Sequence, residues 1–199
     1  MDGIRETLSL DAHLLREAAQ RYYYPGGPIL GDSDPRFPHA GSSLQKRGYA
    51  LLDELHAIAR WKSPRSADLI LLNEAEAVKV VTGEAFAIRD REPGRAACRL
   101  TEVYGIGIPT ASTVLTVFDP GQFGIVDFRV WNTLRLWRPD RFPAKSEGYW
   151  PIKHFICCLE AMRELARDSG LSCREIDMAL WQMDRERSQR GESLCSSEP

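Results

Sequence analysis

Residues 100–134 read LTEVYGIGIPTASTVLTVFDPGQFGIVDFRVWNTL. Leu100 to Tyr104 reads as the end of one helix. Thr110 to Phe118 reads as the next, with Ala111, Val114, Leu115 and Phe118 on its apolar face. Between them Gly105, Ile106 and Gly107 make a tight turn. Glycines permit positive φ and close backbone approach, so Ile106 can plug between the two helices. The turn then leaves open amides at the start of the second helix, and such an N-terminus holds a phosphate without a lysine. The plainer reading of the turn alone is a glycine-capped αα-hairpin.

Outward from this stretch the period stays helical. From Ser43 to Arg60, Leu44, Leu51, Leu52, Leu55, Ile58 and Ala59 recur at three- and four-residue steps, which predicts a helix. Ser63-Pro64 pairs a cap with a proline at the first helical position, so a helix is expected from there to about Val81. Shorter helices are expected over 83–90 and 94–103. A long one is expected over Tyr149–Asp168, stopping at Gly170. SCRE at 172–175 fits a capping box that opens a helix through about Arg187. Residues 25–41, PGGPILGDSDPRFPHAG, hold four prolines and four glycines and read as a long loop. No alternating strand and no internal repeat is evident. The expected class is therefore all-α, one helical unit over 1–187 followed by a flexible tail over 188–199.

Composition narrows the function classes. The chain has 199 residues and a net charge of −2, so a nucleic-acid contact must come from a local patch rather than from the molecule as a whole. The start, MDGIRETLSL, is too polar for a signal peptide, and no run of apolar residues is long enough for a membrane span. Five cysteines, at 98, 157, 158, 173 and 195, form no CxxC pair, and His13, His39, His56 and His154 show no ligand spacing. A reducing cytoplasm is expected, with no metal held by side chains.

Taken together, Leu100, the Gly105-Ile106-Gly107 hairpin, Thr110-Ala111, the loop Asp119–Gly124, and Val126-Asp127 with Arg129 resemble the helix-hairpin-helix DNA glycosylase superfamily in order and spacing. The resemblance covers about 35 residues closely and extends loosely over 45–185; residues 1–40 are not placed by it. It implies a two-lobed helical fold around a cleft, duplex DNA as partner, and Asp127 as the catalytic carboxylate. Gly105, Ile106, Gly107 and Thr110 would then grip the DNA backbone. Breaking a base–sugar bond develops positive charge on the sugar. A fixed carboxylate stabilises that charge and can orient the attacking water. The base must first leave the stack. By itself, Asp127 is also a good cap for a helix beginning at Phe128.

Two departures shape the expectation. Many bifunctional relatives carry a lysine just before the Thr-Ala pair, and here Pro109 stands there. The implied enzyme is monofunctional and leaves an abasic site, with Lys62 the amine available elsewhere. An iron–sulfur cluster is not expected, because no suitable cysteine spacing exists. A monovalent cation on hairpin carbonyls is compatible with the family.

Around this centre, RWKSPR at 60–65 joins two helices. Lys62 and Arg65 are candidates to reach phosphates, and Trp61 either stacks on a base or packs in the core. Arg129 belongs to a stretch, 129–153, with six basic residues against two acidic ones. It reads as a DNA-facing side or as a solvated face. Tyr23 and Phe37, beside the long loop, are wedge or lid candidates or simply pack it. Asp177 is the second carboxylate of interest, while Leu180 and Trp181 read as core. The expected function is base excision in repair or in defence against phage DNA with hypermodified bases. The expected state is a cytoplasmic or nucleoid-associated monomer. The alternative from another class is a helix-hairpin-helix module that binds DNA without catalysis.

Overall fold

Gly48 adopts φ 75 and breaks the periodic stretch into two helices, α2 (Phe37–Arg47) and α3 (Leu52–Lys62). A computed structural model describes residues 8–24, 27–28, 37–144, 148 and 150–192, with the backbone alone for 23–24, 27–28 and 37–40. Among these residues the fold is helical, as the period predicts. The one exception is a two-residue antiparallel ladder, β1 (Tyr23–Tyr24) with β2 (Gly27–Pro28). No described helix is long and apolar enough to cross a membrane.

Ahead of the ladder lies α1 (Ala12–Gln20), capped by Asp11. The helix expected from Ser63 to Val81 is interrupted. Pro64 sits in a turn, and Ala67–Leu72 forms a 3-10 helix ending at Asn73. The helix that follows, α4 (Ala75–Ile88), carries on through the next expected element. Asn73 explains the interruption. Its amide reaches the Ile70 carbonyl at 2.8 Å and the Tyr104 carbonyl at 3.0 Å, so the side chain closes the turn and pins it to the hairpin. The loop expected over 25–41 is likewise shorter, since α2 begins at Phe37.

The hairpin itself is formed by α5 (Pro93–Leu100) and α6 (Ile108–Phe118). Every residue from Thr110 to Phe118 is buried, so α6 is the central helix, packed by α2, α3, α5 and α8. Its buried hydroxyls bond inward: Ser112 and Thr113 donate to the Pro109 carbonyl, and Thr116 to that of Ser112. A loop leads to α7 (Phe128–Trp137), then come α8 (Ile152–Ser169) and α9 (Cys173–Gln189). Gly170 ends α8 in the left-handed region at φ 71, and Ser172 with Glu175 forms the expected capping box on α9. Helices α1, α7, α8 and α9 pack on one another, and α5 and α6 meet α8 to join them to the rest. The apolar core runs continuously through both groups.

Candidate functional site

Ile125, Val126 and Asp127 are each tied to a different helix. The Ile125 amide donates to Asp177 Oδ2 on α9 at 2.7 Å. The Val126 amide donates to Ser112 Oγ on α6 at 3.0 Å, and Ser112 donates on to the Pro109 carbonyl at 2.7 Å. Asp127 is the N-cap of α7, where an extended backbone and a short acceptor are needed, and its Oδ1 accepts from the Val130 amide at 3.0 Å. The other oxygen, Oδ2, is turned to Lys62 and accepts from Nζ at 3.1 Å.

Lys62 is the last residue of α3, so the pair joins the two groups of helices. The Lys62 side chain is 10% exposed and that of Asp127 22%. A carboxylate and an ammonium therefore face each other at the edge of the core, the carboxylate held by the backbone of α7 and both side chains partly exposed.

Beneath the pair lies a buried charged floor. Arg174 Nη1 donates to Asp177 Oδ1 at 2.5 Å. Its guanidinium sits 5.4 Å from the Tyr22 ring and 5.7 Å from the Trp61 ring, within cation–π range. Burial pushes the Asp177 carboxyl up to about 7, against the opposite pull of Arg174 and the Ile125 amide. Burial likewise pushes the Tyr22 phenol above its ordinary range.

The hairpin turn stands next to this assembly. Gly105 adopts φ 96, and a Cβ there would lie 2.9 Å from Leu69 Cβ. Both the backbone and the close approach require glycine. Ile106 is buried in the core, as its plug role predicts. Gly107 is the N-cap of α6 and brings no side-chain cap, and Pro109 at the second position has no amide, so Ile108 and Thr110 carry the N–H groups of the first turn. Thr110 is buried, its hydroxyl 3.4 Å from that of Ser63, which links the start of α6 to the end of α3.

The other sequence candidates sort by position. Trp61 is buried against Arg174 rather than presented at the surface. Arg65 is exposed. Arg129 Nη1 donates to buried Asp184 at 2.8 Å, and its guanidinium lies 5.3 Å from the Trp181 ring. Arg138 and Arg141 reach Glu164 and Glu160 on α8, each at 2.7 Å. Much of the charge in 129–153 is thereby countered by acids that arrive later in the chain. Leu180 is buried and Trp181 packs on Tyr22 with rings 5.2 Å apart. The side chains of Tyr23 and Phe37, most of the 25–41 loop, Lys145 and residues 193–199 lie outside the described residues. Among the described residues no cluster of histidine, cysteine and carboxylate side chains converges as a metal site.

Sequence reasoning missed Ser112 and Arg174, and it offered Tyr22 only among the RYYYPGGP aromatics at 21–28. In the sequence Arg174 belongs only to the SCRE capping box and Ser112 only to the 110–118 helix. That reasoning also missed the exposed apolar side chains beside the hairpin: Leu71, Leu72 and Tyr104, at 50%, 73% and 59% exposure. The available signal was the four-residue apolar run Leu69–Leu72 directly ahead of the polar NEAE.

No model of a known protein family matches the chain, and no curated protein matches its sequence significantly.

Proposed function

We propose that the protein is a DNA N-glycosylase that releases a modified or damaged base from duplex DNA, with Asp127 as its catalytic carboxylate. The observation that carries this reading is the division of labour within one side chain. One oxygen of Asp127 fixes the carboxylate by capping α7, and the other pairs with Lys62 at the partly exposed edge of the core. Such a group can stabilise an oxocarbenium-like sugar and orient water toward C1′. The Ser112 link fixes Asp127 relative to α6, whose uncapped amides suit a phosphate of the same strand. Grip and chemistry would then move as one body. Leu71, Leu72 and Tyr104 supply apolar surface beside the turn, suited to filling the gap left by an extruded base.

The test is a panel of duplexes, each carrying one modified base: oxidised or alkylated purines, mismatched or hypermodified pyrimidines, and uracil. Hot alkali converts each abasic site to a break. Alkali-dependent breaks at the modified position on at least one duplex are expected from the wild-type protein. Tight binding to the same duplexes with no break on any would favour the non-catalytic DNA-binding module instead.

A further inference from the structure

The loop that delivers Asp127 is held by the start of α9. The first amides of that helix are directed at the loop: Cys173 N–H donates to the Gly121 carbonyl at 3.3 Å, and Arg174 N–H to that of Pro120 at 3.0 Å. One turn on, Asp177 Oδ2 accepts from the Ile125 amide at 2.7 Å. Between these contacts the approach is close. A Cβ at Gly124 would lie 2.7 Å from the Cys173 carbonyl oxygen and 2.6 Å from Met162 Sδ, so only glycine fits. The other oxygen of Asp177 accepts from Arg174, whose guanidinium lies 5.7 Å from the ring of Trp61, the residue before Lys62. The Arg174–Asp177 pair therefore touches both chain segments that lead to the Asp127–Lys62 contact. Packing alone does not call for charge here. The two side chains are 11% and 3% exposed, and taking two charges out of water can cost more than packing two apolar side chains in the same place. An apolar pair, however, cannot accept the Ile125 N–H.

We propose that Arg174 and Asp177 are positioning residues for base release: the pair fixes the loop before α7 against the end of α3, and so sets where the Asp127 carboxylate stands. Its effect on rate rests on the base-release reading above; its effect on the placement of Asp127 does not. Neither side chain touches the reacting atoms. Arg174 orients the Asp177 carboxylate, Asp177 holds Ile125, and Ile125 lies two residues before Asp127. A shift of about 1 Å in a reacting group is enough to slow a reaction on the order of 100-fold. A rigid, buried bond is a means of preventing that shift.

The test compares the full chain with Arg174→Met, Asp177→Leu and the double variant. Melting temperature, DNA affinity and single-turnover base release on the best duplex of the panel are measured for each. Amide hydrogen exchange is followed by NMR without DNA, where the Val130 amide reports on the Asp127 oxygen that caps it. All readings are taken at about pH 8, above the value of about 7 to which burial pushes Asp177. Each single variant should melt lower, because it leaves one buried charge without its partner. The double variant should recover the melting temperature and keep its DNA affinity. Its base release should stay slow, on the order of 10–100-fold below wild type, and its Val130 amide should exchange faster. A purely structural pair would let the rate recover together with the melting temperature. A double variant that folds and keeps either the wild-type rate or the wild-type Val130 protection overturns the proposal. If the double variant does not fold, Asp177→Asn decides by the same two readings, since its amide must turn a donor toward Arg174 or Ile125. If the wild-type chain releases no base from any duplex, the base-release reading fails. The Val130 amide then decides alone whether the pair positions Asp127.

Discussion

Asp177 is the residue on which pH acts most visibly. Its carboxyl is pushed up to about 7 by burial, well above its value in an unfolded chain. Between about pH 4 and about 7 the folded state therefore holds a proton that the unfolded state has released. By linkage this contribution is complete below the unfolded pKa and is lost as pH rises through the folded one. Stability should fall over that window, and Asp177→Asn should remove that part of the slope. Thermal melts of both proteins between pH 4 and 8 check this, and parallel profiles would contradict it. The same substitution should slow base release more than it weakens DNA binding, because Asp177 holds the Ile125 amide two residues before Asp127 and the charges of the two carboxylates act on each other. At this scale the sequence points to both carboxylates. It does not show that Lys62 meets Asp127, because the two are 65 residues apart and the contact exists only once α3 and α7 are packed.

Helices were legible where the cap chemistry is local. Ser172 with Glu175, and Gly170 after α8, stand where the sequence puts them. Breaks were illegible where they depend on a distant partner. Asn73 ends its turn by bonding Tyr104, 31 residues on, and no pattern near Asn73 encodes that. Gly48 breaks a stretch that its leucine period alone predicts as one helix. The hairpin glycines should behave differently from each other. Gly105→Ala must adopt a positive φ and press on Leu69, so it should cost on the order of 1–3 kcal/mol in denaturant unfolding. A Cβ at Gly107 meets nothing closer than Pro109 Cδ at 3.9 Å. Gly107→Glu should therefore leave folding intact while weakening DNA affinity, as read by fluorescence anisotropy. Unchanged affinity would remove the start of α6 from the interface.

For the molecule as a whole, the proposed binding to DNA turns on the distribution of charge. Counting charges along 129–153 gives a basic stretch, yet Arg129, Arg138 and Arg141 are each paired with an acid from α8 or α9. The sequence cannot show this, because the counter-charges are supplied by the fold. Arg138→Ala or Arg141→Ala should cost up to about 1 kcal/mol of stability, as exposed ion pairs do. Each should leave the salt dependence of DNA binding unchanged. A drop in the slope of log K against log salt of about one per substitution would mean instead that these arginines contact phosphates. Grip on DNA would then come from the hairpin amides and Arg65, close to the Asp127–Lys62 pair that joins the two groups of helices. That junction is where the account is most exposed. Its most direct test is the single-turnover rate of base release by Asp127→Asn on the best duplex of the panel, with DNA affinity measured in parallel. Asparagine can still accept from the Val130 amide, so binding should hold while the rate falls on the order of 10²–10⁴-fold. A variant that binds as before and releases the base at the wild-type rate would contradict the central role given to this carboxylate.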